Sequence, residues 1–277
     1  MDTMKKIDNE DVKKLSFAVL CDLKKVCDQH GLSYSLTGGT LIGAIRHKGF
    51  IPWDDDSDIM MPRPDYDRLM ALGKQTPLPF RLLSAEISGK DYGYPFAKAC
   101  HSDTLLVEDS IEQSSVPLGV YVDIFPVDGM GNRYWTAKIR CMGFQFLHGL
   151  KITSHWTSYH RSKLRKWYYE PFRYGCYALS KLLSREYIDR TLDRFLRKKD
   201  YQTSTFAGRL VGDYGSREIM PKAMFEKMIT VSFENEAFDA IADYDTFLRS
   251  LYGDYTQLPP PEKRVSHHEF EAYWKEV

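Results

Sequence analysis

A chain of 277 residues is too long for a minimal domain and fits one large domain, or a core domain with a substantial helical addition. Hydrophobic residues at 43% and charged residues at 27% are ordinary globular usage, which excludes global disorder and a fibrous repeat. Lysine plus arginine equals aspartate plus glutamate at 38 each, which argues against a uniformly basic nucleic-acid binder.

Residues 10–30 read as a helix, with Val12, Leu15, Val19, Leu23 and Val26 at three- and four-residue spacing and Gly31 after it. LSYSLTGG (32–39) reads as a short strand ending in a tight glycine turn, and TLIGAIRHK (40–48) as a short helix. GFIPWDD is a loop, SDIMMP a second strand cut off by Pro62, and RPDYDRLMALGK (63–74) a further helix. LGVYVDIFPVDG (118–129) is the clearest strand, β-branched and aromatic between glycines. Residues 133–200 follow a helical pattern, 223–252 look helical in part, and PPPEKR (259–264) turns irregular. The order is an α/β or α+β opening, of which α+β with a mixed sheet is the expected class, and no fixed-period repeat is present.

No apolar run approaches the roughly 18 residues of a membrane span, and MDTMKKIDNEDVKK lacks the apolar centre of a secretory signal. Cys21, Cys27, Cys100, Cys141 and Cys176 are scattered with no CxxC pair, suggesting neither a zinc knuckle nor a disulfide framework. These features predict a reduced, cytoplasmic chain. The balanced charge is unevenly spread: residues 133–199 hold sixteen Lys/Arg against four acids, a local charge of +12 that the remainder offsets. Aromatic residues such as Tyr134, Trp135, Trp156, Trp167, Tyr168 and Phe172 interleave with this basic stretch.

Pro52-Trp53-Asp54-Asp55-Asp56-Ser57-Asp58-Ile59 is the most informative segment. In extended chain Asp54, Asp56 and Asp58 share a face and Asp55 points away. Their apolar flanks (Ile51, Trp53, Ile59, Met60) make bare carboxylates costly, so a divalent ion with oxygen ligands, Mg2+ or Mn2+, is the natural counter-charge. An EF-hand does not fit, because no glycine stands at the sixth loop position and no glutamate at the twelfth. Asp123, within Tyr-Val-Asp-Ile-Phe, is expected to join Asp56 and Asp58, whereas Asp128 suits a turn cap. Gly38-Gly39-Thr40 places backbone N–H groups and a helix start where a phosphate can dock. Glycine turn followed by D-x-D strand is a nucleotidyltransferase-like pattern.

The stretch LTGGTLIGAIRHKGFIPWDDDSDIMMPRPDYDRL (36–69) resembles the signature of the LicD family of phosphotransferases, which includes relatives of fukutin and fukutin-related protein. FAKACHSDT, VYVDIFPVDG (120–129) and LYGDYTQLPPPEKRVSHH (251–268) extend the resemblance over most of the chain. It implies a nucleotidyltransferase-like fold and Mg2+-dependent transfer of a phospho-alcohol from a CDP-activated donor, most readily CDP-choline. The acceptor it implies is a lipid-linked glycan such as a teichoic-acid or lipo-oligosaccharide precursor. Carried over by residue, Asp56, Asp58 and Asp123 match the metal-holding and catalytic acids, and Gly38, Gly39 and Thr40 the phosphate turn. Ser57 stands where similar sequences more often have an apolar residue, and is expected to point away from the metal.

Arg46 is a candidate for the donor pyrophosphate, since a planar guanidinium suits it. Lys98, between two alanines in an expected strand, needs a phosphate or an aspartate as partner. His47 and Lys48 read equally well as solvent-exposed, Trp53 as core, and His267-His268 as surface. The expected division is a catalytic core over 1–130, a basic helical region over 131–200 facing acceptor or an anionic membrane surface, and a segment over 201–277 that packs back on the core. The competing readings are a nucleotidyltransferase acting on a sugar phosphate or other small acceptor, and a non-catalytic membrane-docking or nucleic-acid-binding protein.

Overall fold

The computed structural model describes residues 4–108, 116–161, 167–264 and 270–275. Strand β1 (Lys6–Ile7) leads into helix α1 (Asn9–His30), which starts where the Asp8 carboxylate accepts the Asp11 amide at 2.8 Å. It ends at Gly31, whose left-handed φ of 56° lets the chain turn away. The buried face of α1 carries Val12, Val19, Leu23 and Val26, the stripe expected from their spacing. There follow β2 (Ser35–Leu36), α2 (Gly38–Arg46), β3 (Ser57–Pro62), α3 (Arg63–Gln75), β4 (Arg81–Leu83), α4 (Ala85–Ser88), β5 (Ala97–Cys100), β6 (Thr104–Glu108) and β7 (Tyr121–Gly131). The second half contributes α5 (Tyr134–His155), α6 (Glu170–Ser180), α7 (Arg185–Leu196), β8 (Phe206–Gly208), β9 (Met220–Pro221), β10 (Met228–Phe233), β11 (Glu236–Ile241), α8 (Tyr244–Tyr252) and β12 (Phe270–Trp274).

The main sheet has the order β2-β3-β7-β5-β4, and β8 and β9 extend it from the far end of β7. β3 and β7 run parallel, while β2, β5 and β8 lie antiparallel to their neighbours. β12 joins β1 to β6 in a second sheet, and β10 and β11 form a hairpin whose Ile241 amide donates to Ser35 Oγ at 2.9 Å. This mixed, open arrangement with helices on its faces is the expected α+β class.

One core cluster joins α1, α2, β3 and α3 to Phe225, Phe233, Phe238, Phe247 and Leu248 from the C-terminal third. A second sits at the end of β7, where Met130 meets Ala137, Cys141 and Phe144 of α5 and Leu192 and Leu196 of α7. All five cysteines are free, and four of them are buried. Among the described residues, no helix is long and apolar enough to cross a membrane.

The structure departs from the sequence expectations at the glycine turn and at Asp128. The expected 32–39 strand is only Ser35–Leu36, and α2 begins at Gly38 itself, so the glycines form its first turn. Residues 223–252, expected to be helical in part, hold α8 at their end, preceded by the β10–β11 hairpin. Asp128 is not a turn cap: β7 runs on to Gly131, and Asp128 is fully buried in a two-bond pair with Arg63 at 2.6 and 3.0 Å. His267-His268 lie outside the described residues.

Candidate active site

Three strands bring three charged residues into one row. In the parallel β3–β7 pair Asp58 stands opposite Asp123, and in the antiparallel β5–β7 pair Lys98 stands opposite Asp123. Residues opposite one another on adjacent strands project to the same face, so Asp58, Asp123 and Lys98 line up across the sheet. The Lys98 ammonium donates to Asp123 Oδ1 at 2.6 Å and is buried to 1% exposure. It also lies 3.4, 4.5 and 5.4 Å from the ring centres of Tyr121, Tyr94 and Phe96. These rings are therefore engaged by the protein's own cation.

Only Asp58 of the D-x-D lies within a strand, since β3 begins at Ser57. Asp54, Asp55 and Asp56 sit in the preceding loop, each presenting a carboxylate oxygen within 4.8 Å of the others. Asp55 thus joins its neighbours rather than pointing away, because the segment turns where an extended chain would alternate. The turn is fixed by the Asp54 amide donating to Ile51 C=O at 2.9 Å. Ser57 faces the other way, buried, with its Oγ accepting from Ser16 Oγ of α1 at 2.9 Å.

The start of α2 presses against these acids. A Cβ on Gly38 would lie 2.5 Å from Asp58 Oδ2, and one on Gly39 would lie 2.1 Å from Asp54 Oδ2. Gly38 also adopts a φ of 59°. Backbone and space both favour glycine at 38, whereas at 39 a Cβ would displace the Asp54 carboxylate. Thr40 Oγ1 accepts the Asp58 amide at 2.8 Å, and the Thr37 amide donates to Asp58 C=O at 3.1 Å, locking β3 to the helix start.

The electrostatics are strongly anionic. Burial first, then the charges of Asp56, Asp123 and Asp54, push the Asp58 carboxyl well above the usual carboxylate range, and Arg209 opposes them. Such a concentration of hard oxygen ligands suits a divalent cation of the Mg2+ or Mn2+ type.

Of the other expected residues, Arg46 is directed elsewhere: its Nη1 donates to the carbonyls of Tyr255 at 2.7 Å and Gln257 at 3.2 Å. His47 is half-buried against Trp53, Lys48 is exposed, and Trp53 packs against the main core. Two supporting groups escaped the sequence reading. Arg209 forms a buried two-bond pair with Glu218 at 2.9 and 3.0 Å and donates to Thr37 Oγ1 at 3.0 Å, directly behind the glycine turn. Glu234, at φ 56°, accepts the Phe50 amide at 3.0 Å and fixes the loop that leads to the aspartates. Neither link to the site has a local signal, because Thr37 lies 172 residues from Arg209 and Phe50 lies 184 residues from Glu234 in the chain.

The family model described as LicD/FKTN/FKRP, nucleotidyltransferase domain, matches residues 31–178, which include the glycine turn, the aspartate loop, Lys98 and Asp123. The chain is 31% identical over 278 residues to the lipopolysaccharide cholinephosphotransferase LicD of Haemophilus influenzae, covering 98% of this chain and 99% of that protein. Shorter likenesses link it to uncharacterized proteins of Rickettsia prowazekii and Rickettsia typhi. Each is 37% identical over 49 residues, 18% of this chain and 18% and 16% of theirs.

Proposed function

This chain belongs to the LicD family, and on that premise we propose that it transfers phosphocholine from CDP-choline to a hydroxyl of a cell-surface glycan precursor, with Mg2+ or Mn2+ bound at the aspartate row. It is an enzyme, a transferase of phosphate-containing groups. The observation that carries the reading is the Asp58–Asp123 register pair set against a glycine helix start, where an added Cβ would collide with the Asp58 and Asp54 carboxylates. The finer choices follow the relative's cholinephosphotransferase activity. The acceptor is a lipid-carried lipo-oligosaccharide or teichoic-acid precursor, and the reaction runs on the cytoplasmic side, where nucleotide-activated donors are made.

Asp56, Asp58 and Asp123 would hold the ion, with Asp54 and Asp55 adding negative charge beside it. The bound ion supplies charge neutralisation for the transferring phosphoryl group. The protein's own groups do the remaining work. Gly38 and Gly39 let the backbone at the start of α2 come close to a donor phosphate, and the helix start favours its negative charge. Thr40 and Thr37 hold the Asp58 backbone in place from both sides. Lys98 holds Asp123 at one carboxylate oxygen, fixing its rotamer in the row. We assign Asp123 to ion-holding rather than to accepting the acceptor hydroxyl's proton.

The test is to incubate the full chain with CDP-choline, MgCl2 and a choline-free glycan acceptor, following CMP release and choline incorporation. CDP-ethanolamine, CDP-glycerol and CDP-ribitol are the rival donors. Release of CMP coupled to choline incorporation, abolished by EDTA, supports the proposal. Attachment of the nucleotide itself to the acceptor would establish nucleotidyl transfer instead. For Asp123→Asn, loss of Mg2+ affinity in proportion to rate supports ion-holding; a rate loss of roughly 10²–10⁴-fold at unchanged affinity would make it the base.

A further inference from the structure

A surface helix ordinarily turns its polar side to water. α5 does not. Trp135, Ile139, Met142 and Phe146 follow a 4-3-4 spacing that places them on one stripe, and they are 39 to 70% exposed. The opposite side of the same helix, Ala137, Cys141 and Phe144, is buried against α7. α5 is thus apolar on both sides, with only one of them covered.

The stripe continues onto α6. The Phe146 and Phe172 rings lie 6.3 Å apart, and Leu179 lies two turns further along α6, also exposed. Trp167 before α6 and Leu182 after it are each 82% exposed. Thirteen of the fifteen large hydrophobic residues exposed among the described residues fall between Tyr134 and Tyr187, so exposed apolar surface is concentrated in this helical region.

Charge identifies what covers it. From Gly129 to Tyr169 the sequence has eight Lys/Arg and no Asp or Glu; Arg140 and Lys151 are buried, and Arg133, Lys138 and Arg161 are the exposed ones among the described residues. Exposed Lys138 stands three residues after Trp135 and four before Met142, along the edge of the stripe, with exposed Arg133 at the helix start. A second copy of the chain would set these basic edges against one another. An anionic leaflet attracts them, accepts the apolar stripe, and suits tryptophan and tyrosine at its boundary. We propose that the outer face of α5 and α6 docks the protein on an anionic lipid bilayer, lying in the interface without spanning it. The inference needs none of the proposed chemistry, although it would bring a lipid-carried acceptor to the enzyme in two dimensions.

Co-sedimentation of the full chain with phosphatidylcholine vesicles, with and without phosphatidylglycerol, tests it in the absence of donor and metal. Binding is expected to be at least about tenfold stronger with phosphatidylglycerol, and to collapse between about 0.1 M and about 0.5 M NaCl as screening shortens. The double variant Ile139→Glu/Met142→Glu keeps good helix formers at exposed positions. It should lose at least about tenfold in vesicle partitioning while its circular dichroism and its CMP release with a soluble acceptor stay at wild-type values. The charge reversal Arg133→Glu/Lys138→Glu should lose a similar factor by a separate route. Equal partitioning to both vesicle types, no binding at low salt, or wild-type binding by the Ile139→Glu/Met142→Glu protein would overturn the proposal. So would a dimer in solution that the same variants dissociate, which would assign the face to a second copy.

Discussion

Asp58 carries a high electrostatic cost, because burial and then Asp56, Asp123 and Asp54 all oppose its ionised form. Asp58→Asn removes that cost together with the function it serves. Turnover should fall by roughly 10³-fold, matching the several kcal/mol that metal-held charge contributes. The metal-free stability should hold or rise. The sign follows from the raised carboxyl: the folded state retains a proton that the unfolded chain gives up near pH 4, so ionisation costs the wild type more as pH rises. Urea midpoints should therefore favour Asp58→Asn more at pH 8 than at pH 5, and the opposite order would contradict the crowding. Gly39→Ala separates space from backbone in the same way. Its φ is ordinary and alanine favours helix, yet the new Cβ would meet Asp54 Oδ2 at 2.1 Å. Loss of activity at unchanged or raised thermal stability is the expected result. Asp56, Asp58, Asp123 and Lys98 were visible in the sequence because charge inside an apolar run stands out. Asp55 was misplaced because alternation holds only in extended chain, and this loop turns.

At the next scale, the elements are pinned by buried charge pairs that periodicity does not reveal. Arg63 opens α3 and holds Asp128 near the end of β7 with two bonds, both partners almost wholly enclosed. Asp128→Ala leaves that guanidinium buried beside a lost partner and should cost about 3–5 kcal/mol in urea unfolding. A cost under about 1 kcal/mol would show that the helix is held by packing alone. His155, at the end of α5, is a second control point. Burial, then Arg185 and Lys151, lower its pKa from 6.5 to about 4. Below about pH 6.5 the unfolded chain takes up a proton that the folded protein refuses, so stability falls as pH drops. The loss between pH 7 and pH 5 should be about 2 kcal/mol, and His155→Gln should remove it. The helices of 133–200 were legible from their 3.6-residue period. The β10–β11 hairpin was not, because its turn at Glu234-Asn235 has no glycine and the strand after it, Glu236–Ile241, contains two alanines.

On the scale of the whole molecule, the C-terminal third is tied to the site by long-range contacts. Arg46 reaches from the end of α2 to the Tyr255 and Gln257 carbonyls, so its role is to fasten that segment. Arg46→Ala should lower the thermal midpoint while leaving the KM for CDP-choline within about twofold; a tenfold rise in KM would return it to the donor phosphates. The class of fold and the first acidic strand were readable because they depend on neighbours in sequence. The Arg209–Thr37 and Glu234–Phe50 links depend on chain closure, which no local pattern records. The same closure governs how the enzyme comes into being. Asp58 and Asp123 face each other only through the parallel β3–β7 pairing, which joins segments 65 residues apart with β5 inserted between β7 and β4. Pairing of that kind forms slowly, since the loop entropy is lost before the contacts repay it. Recovery of the proposed Mg2+ binding during refolding should therefore lag behind helix formation, and stopped-flow signals of the two should not coincide. A nascent chain released before residue 123 would have its aspartate loop without the Asp58–Asp123 pair, so the proposed competence for an ion would be a late event in the life of each molecule.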